Sequence, residues 1–403
     1  MASLFSDLVV VDAASFLAGP CAATIMADYG ADVIKIEPLT GDRHRTIAGG
    51  HESDFAWQLT GRNKRSLSMD ITTPEGYDVL MKVLKKADVF LVNFTAANLE
   101  RYKLTFETLK ANNPRMIFAQ ISAYGLKGPD AERRAFDLTG FFARSGIMDI
   151  MHSKDEAPTP PAGGVGDHAT AMTLFAGIMM AIYKRDRTGE GSMVSTSLAA
   201  TGTWANGLNL AATVAGRDGA TRRNREGWSN PTSNVYTTSD GRYIMLGLQN
   251  ARRDWPALLE LLDHPEWLED ERMDSRTIMK NRFFVKEQLQ KAFSALPADV
   301  LCERLKKSGI VYSLVANTTE VIDDQQLIEN GLIIPFETDV PGNSKTFTTP
   351  IQMSNEPQRN PERGPRVGEH SDEILRELGF ADKEISTLAE SGIVRIASYQ
   401  TVV

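Results

Sequence analysis

The chain has 403 residues, 42% of them hydrophobic and 24% charged, with a formal net charge of -8. That length exceeds one ordinary core and implies two domains. The acidic balance excludes a general nucleic-acid binder, which needs a basic face, but leaves room for a phosphorylated small molecule, because a few local Arg and Lys suffice.

The opening stretch "MASLFSDLVVVDAAS" has no basic region ahead of its apolar run and carries Asp7 inside it. It reads as a first strand, not a signal peptide. "LVVVDA" (8–13) and "ADVIKIE" (31–37) read as buried strands, with a helical "GPCAATIMADYGA" (19–31) between them and Gly30 as its stop. "TTPEGYDVLMKVLKKA" predicts a helix with Thr73 at the N-cap and Pro74 at N1. Strands "DVFLVNF" (88–94) and "RMIFAQIS" (115–122) flank a helical "FETLKANN". This alternation predicts a largely parallel sheet with helices on both faces and ligands beyond the carboxyl ends of the strands.

The pattern changes near residue 215. "SNVYTTSDGRYIMLG" predicts a hairpin turning at Asp240-Gly241. Helices are expected in "NARRDWPALLELLD", "RTIMKNRFFVKEQLQKAFSAL", "PADVLCERLKKSG" and "TTEVIDDQQLIENG", with "VYSLVAN" as a strand. Residues 216–329 are therefore expected to form a smaller α+β domain. "NSKTFTTPIQMSNEPQRNPERGP" reads as irregular, leading to two short helices, "HSDEILRELG" and "ADKEISTLAESG".

The segment "PPAGGVGDHATAMTLFAGIMMAI" (160–182) raises the chemical question. Asp167 can be the N-cap of a buried helix, since Asp is a favoured cap. The same geometry also suits chemistry. "GGVG" lets the backbone approach a ligand, and a helix start offers unpaired N–H groups. A carboxylate held there can attack a carbonyl carbon and form a covalent intermediate. The local pattern leaves both readings open.

Other chemistry lacks its signature. G-x-S-x-G, C-x-x-C, H-E-x-x-H, G-x-x-x-x-G-K-[ST] and a strand-linked G-x-G-x-x-G are all missing. The six histidines do not pair at metal-ligand spacing, and His168 is expected to support the site or face solvent. Cys21 and Cys302 lie far apart, which suits a reducing compartment without a disulfide framework or zinc site. The longest apolar run, 172–183, is short for a bilayer. A cytoplasmic protein with neither metal nor membrane is expected.

Many segments, in order, resemble the class III coenzyme A transferases, the formyl-CoA and carnitine-CoA transferase (CaiB/BaiF-type) family. They are "FLAGPCAATIMADYGADVIKIEPLTGDRHR", "NKRSLSMDITTPEG", "ADVFLVNFTAANLERYKL", "NPRMIFAQISAYGLKGP", "AFDLTGFFARSG", "GGVGDHATAM", "YKRDRTGEGSMVSTSL" and "GPRVGEHSDEILRELGF". The resemblance implies a large Rossmann-like α/β domain with a parallel sheet, built from residues 1–215 and 330–403. A smaller α+β domain of 216–329 and an interlocked homodimer complete the implied architecture.

It also implies the activity. Coenzyme A moves from an acyl-CoA to a small carboxylic acid, with acyl-CoA as substrate and no metal. Asp167 is the implied nucleophile, forming a mixed anhydride and then an aspartyl-CoA thioester. Leu17, Met69, Asn93, Phe94, Thr95, Arg101, Arg134, Ala135, Phe136 and Asp137 are the implied coenzyme A contacts. Arg101 is the leading candidate for a phosphate, and Asp137 is either catalytic or structural.

The sequence departs from the family pattern at several places. Thr95-Ala96-Ala97 replaces a glycine-containing turn, and Pro38 stands where a basic contact is usual. Leu17 replaces a polar Gln, which argues for an acid less polar or larger than oxalate. Near the family's glycine loop this chain has only Gly227, so Arg225 and Trp228 are expected to shape the acceptor site. The rival reading is α-methylacyl-CoA racemase of the same fold. Racemases place a His where this chain has Phe136, and proton exchange needs a group on each face.

Overall fold

The computed structural model describes residues 3–47, 54–153, 156–217, 230–338, 340 and 342–397. It divides into two compact units, Met1–Met151 with Thr159–Ala220 and Gln325–Val403, and His152–Pro158 with Thr221–Asp324.

The first unit is built on seven strands. These are β1 (Val9–Asp12), β2 (Asp32–Glu37), β3 (Lys64–Met69), β4 (Val89–Val92), β5 (Ile117–Ser122), β6 (Met193–Ser197) and β12 (Val394–Arg395). Their order is β12-β3-β2-β1-β4-β5-β6. All neighbours are parallel except β12, which pairs antiparallel with β3. Strands β1, β2, β4 and β5 were legible as apolar β-branched runs. Strands β3 and β6 were not, because serines, Lys64 and Arg65 break the apolar run. Pairing resolves the conflict for β3: Ser66 Oγ donates to Glu37 at 2.5 Å and Ser68 Oγ to the Pro38 carbonyl at 2.9 Å.

Helices cover both faces. On one face α1 (Ala18–Asp28) and α7 (Val165–Thr188) pack on Val10, Val33, Leu91 and Ile117. On the other, α3 (Pro74–Lys86), α5 (Phe106–Asn112), α15 (Ser371–Glu377) and α16 (Asp382–Glu390) pack on Val11, Ile34, Leu67, Phe90 and Phe118. Both strand faces are apolar because both are buried. The expected cap of α3 is present: the Thr73 hydroxyl accepts from the Gly76 N–H, and Pro74 opens the helix. Short helices α2 (Phe55–Gly61), α4 (Ala96–Arg101) and α6 (Ile147–Ile150) fill the connections, and α8 (Leu198–Ala205) and α9 (Gly207–Val214) follow β6.

The carboxyl-terminal segment is tied to the beginning of the chain. The Thr349 hydroxyl donates to Asp28 Oδ2 at 2.7 Å, and the Gly364 N–H donates to Gln58 Oε1 at 2.8 Å. The Pro365 carbonyl accepts from both Arg45 and Trp57. Most of 343–365 is irregular, as expected. The exception is β11 (Lys345–Phe347), which pairs antiparallel with β10 (Ile333–Pro335).

The second unit holds a three-stranded sheet of β7 (Ser233–Thr237), β8 (Tyr243–Gly247) and β9 (Tyr312–Leu314). The β7–β8 hairpin turns at Asp240-Gly241, and Gly241 takes φ +75°. Helices α10 (Ala251–Leu261), α11 (Arg282–Ser294) and α12 (Ala298–Ser308) pack a core around Trp255, Leu289 and Phe293. The single helix expected over "TTEVIDDQQLIENG" is instead two, α13 (Thr318–Val321) and α14 (Gln325–Glu329). Asp323 and Asp324, weak helix-interior residues, bond three residues back and close the first one.

Candidate active site

The strand order reverses between β1 and β4, and ligands on open α/β sheets bind at that switch point. Here the two strand ends are tied together. The Ser15 N–H donates to Asn93 Oδ1 at 3.1 Å, and Asn93 Nδ2 donates to the Ser15 carbonyl at 3.0 Å. The next residue, Phe16, takes φ +67°, a conformation that favours glycine. Its N–H points at Asp42 Oδ1, 3.4 Å away.

A buried ionic network lies beneath this loop. Lys64 Nζ donates to Asp12 Oδ2 at 2.9 Å, and Lys35 Nζ reaches Asp42 at 3.0 Å and Asp12 at 3.7 Å. Lys35 also donates to the Ala14 carbonyl. Burial pulls the Lys35 pKa down, but Asp12 and Asp42 outweigh it and hold the ammonium charged. Glu37 meets Arg45 in two bonds, and the Arg45 guanidinium lies 3.6 Å over the Trp57 ring. No sequence motif marks these residues as a network. The available signal was a charge inside an apolar strand, "VVVD" and "DVIKIE", which must be paired to be buried.

At the carboxyl ends of β1 to β4 a cleft of about 430 Å³ opens between Ala13, Ser15, Pro38, Met69, Asp70, Phe94 and Tyr102. Two expected contacts, Met69 and Phe94, line it. The Phe94 ring meets Tyr102 edge-on at 5.9 Å. Asn93 spends its amide on Ser15, so it positions the loop. The Thr95 hydroxyl caps α4 by accepting from the Asn98 N–H. Arg101 ends that helix with its exposed guanidinium 5.6 Å from the Tyr102 ring centre.

Asp167 sits inside the first turn of α7. The N-cap is Gly164, so the capping reading of Asp167 is corrected. Gly164 has φ +92°, and a Cβ there would lie 3.1 Å from a Leu17 methyl carbon. Both facts explain the glycine. The capping oxygen comes from another segment: Asp137 Oδ2 accepts the Gly164 N–H at 2.6 Å. Asp137 is 4% exposed, and its Oδ1 is buried without a hydrogen-bond partner. Gly166 is packed so closely against Asp137 and Phe141 that a Cβ would overlap both. Burial raises the Asp137 pKa, against the pull of the nearby helix N–H groups. Burial first, and the Asp137 charge second, push the Asp167 carboxyl up to about 7.

Phe136, next to Asp137, is 65% exposed and meets Phe16 edge-on at 5.4 Å. Ala135 is half-buried, whereas Arg134 and His168 are exposed. The structure thus gathers Leu17, Phe136 and Asp137 at the start of α7, and Met69 and Phe94 in the cleft. The Ser15–Leu17 loop touches both groups. Arg225 and Trp228 lie outside the described residues. Among the described residues no group of three or more His, Cys, Asp or Glu is placed to hold a metal ion. Cys21 is buried and its thiol is pushed up to about 12, chiefly by burial, which leaves it unreactive.

A doubly wound sheet with a cleft at its switch point and a carboxyl pair at a helix start define an α/β protein with a candidate active site. The chain belongs to CoA-transferase family III, whose model matches residues 5–371, and it is an acyl-CoA:carboxylate CoA-transferase. It is 30% identical over 401 residues to the (R)-2-hydroxy-4-methylpentanoate CoA-transferase of Clostridioides difficile, covering 97% of this chain and 100% of that one. It is also 30% identical over 392 residues to the succinyl-CoA:mesaconate CoA-transferase of Haloarcula marismortui, covering 93% and 96%. A CaiB/BaiF family protein from Brucella suis superposes with a TM-score of 0.83 at 28% identity, over 94% of this chain and 100% of that structure.

Proposed function

We propose that this transferase works through covalent intermediates on Asp167. The observation that carries the reading is the Asp167 carboxyl in the first turn of α7, beside an Asp137 whose own carboxylate is fixed to that helix start. An Asp167 oxygen attacks the thioester carbonyl of the donor. The C–S bond breaks, leaving a mixed anhydride and coenzyme A thiolate. The thiolate attacks the aspartyl carbonyl, giving an aspartyl-CoA thioester and the donor's carboxylate. The acceptor carboxylate attacks that thioester and expels the thiolate. The thiolate then takes the acceptor's acyl group from the second anhydride and regenerates Asp167. No step consumes or releases a proton, and each exchanges one activated acyl bond for another.

In this reading coenzyme A occupies the cleft, with Met69 and Phe94 on its walls and Arg101 and Arg134 available to its phosphates. Two segments, 1–215 with 330–403 and 216–329, act as large and small domains in a cytoplasmic homodimer. Helix Val165–Thr188 is long and apolar enough to cross a membrane by length and composition. We assign its exposed apolar side chains to a second copy. The relatives leave the acid undecided, since at equal identity one is named for a branched acid and the other for mesaconate. Leu17 argues for an acid larger or less polar than oxalate.

The test is intact mass after incubation with a panel of acyl-CoAs and hydroxylamine, for the wild type and Asp167→Ala. A hydroxamate on Asp167 that disappears in the variant is expected. Absence of label with every donor, together with α-proton exchange on a chiral acyl-CoA, would overturn the mechanism in favour of a racemase.

A further inference from the structure

The backbone at Phe16 points to the group that reads the acid. A non-glycine residue at φ +67° is strained, and such strain persists only where its surroundings impose it. Here they do: Asn93 holds Ser15 on one side, Asp42 faces the Phe16 N–H, and Leu17 begins α1 on the other. The conformation sets the Phe16 ring edge-on to Phe136, with the ring planes 84° apart.

The chain path gives this pair its role. Ser15 lines the cleft, and Leu17 lies against Gly164 at the start of α7. Phe16 is the residue between them. An acyl group whose coenzyme A fills the cleft and whose carbonyl meets Asp167 must run along Phe16. The exposed Phe136 ring closes that path beside Asp137. Neither ring nor Leu17 offers a charge or a hydrogen bond. A second carboxylate on the acid would lose water there without gaining a partner, whereas an aryl or branched alkyl group buries apolar area.

Resting on the Asp167 reading, we propose that Phe16 and Phe136 form a wall that selects acids with an aryl or branched-alkyl side chain.

The experiment measures kcat/KM for 3-phenylpropanoate, 4-methylpentanoate, acetate and succinate as acceptors. It uses wild type, Phe136→Ala, Phe16→Ala, the double variant and Phe136→Leu, with Asp167 labelling recorded alongside. Wild type is expected to favour the first two acids over succinate. Each alanine variant is expected to lower that ratio roughly tenfold, in line with what apolar contacts contribute to selectivity. The double variant should fall short of the product, and Phe136→Leu should keep most of the preference. A wild-type preference for succinate overturns the proposal. So does an equal decline for all four acids, or a weakened dimer with an unchanged ratio. If Asp167 is never labelled, the covalent mechanism fails and the wall with it. Labelling without side-chain discrimination sinks the wall alone.

Discussion

In the proposed mechanism Asp167 and Asp137 are two carboxyls of one type given different work. Asp137 is bonded to the Gly164 N–H and cannot swing into the site without uncapping α7. Asp167 has no such tie and faces a burial cost that pushes it up to about 7. In the proposed mechanism the attacking form is the carboxylate, so kcat/KM should rise with pH through that value and then level. Asp137→Asn keeps an acceptor for Gly164 but removes the like charge. Its acidic limb should move to lower pH and stay above the ordinary Asp range, because burial is the larger cause. A pH–rate profile of the two proteins checks this, and an unmoved limb would refute the coupling. Stability follows the opposite sense. With a folded pKa above the unfolded one, the contribution of Asp167 is complete below about pH 4 and is lost as pH rises toward 7, by at most about 1.4 kcal/mol per pH unit. The chemistry proposed for Asp167 is visible in the local pattern "GGVGDHATAM" only as one of two options. Its partner, 30 positions earlier in "AFDL", is brought to it by the fold.

At the scale of elements, the switch point between β1 and β4 is a built joint. The usual glycine-rich turn is missing after β1, and Phe16 takes the positive φ in its place. Two reciprocal bonds from Asn93 secure the loop. Removing them in Asn93→Ala should cost about 1–3 kcal/mol, since each is an ordinary part-buried hydrogen bond. The freed loop should raise KM for acyl-CoA several-fold and slow Asp167 labelling. Steady-state kinetics with a thermal melt provide the check. A stable variant with unchanged KM and labelling rate would deny Asn93 this positioning role. The apolar strands at this joint were legible from their β-branched runs. Strand β3 was not, because its lysine and serines are polar locally and become buried only through Asp12, Glu37 and the Pro38 carbonyl.

For the whole molecule, the exposed side chains on α7 to α9 bear on assembly. Trp204, Leu208 and Val214 are 87%, 85% and 89% exposed, and Met180 and Tyr183 are also exposed. Large apolar groups clustered on neighbouring elements mark interaction surfaces. The proposed homodimer predicts that wild type sediments as a dimer at micromolar concentration and that Trp204→Asp shifts it toward monomer. A wild type that is monomeric throughout that range would refute the dimer. The unit also depends on its own distant ends. Asp28, Gln58 and Arg45, all in the first sixty residues, bond to Thr349, Gly364 and Pro365.

By itself the sequence determined the elements whose signal is local. Apolar runs gave β1, β2, β4 and β5, Thr73-Pro74 gave the start of α3, and Asp240-Gly241 gave the hairpin, because burial, capping and turn geometry act over a few residues. The ordered motifs gave the family for the same reason, being short stretches read in place. Only the tertiary structure decided that Asp137 caps the helix bearing Asp167. It alone showed that Asn93 and Ser15 close the switch point and that Phe16 meets Phe136. Those are contacts between residues tens to more than a hundred positions apart. No local preference encodes them, and they exist once the sheet has brought its strand ends side by side.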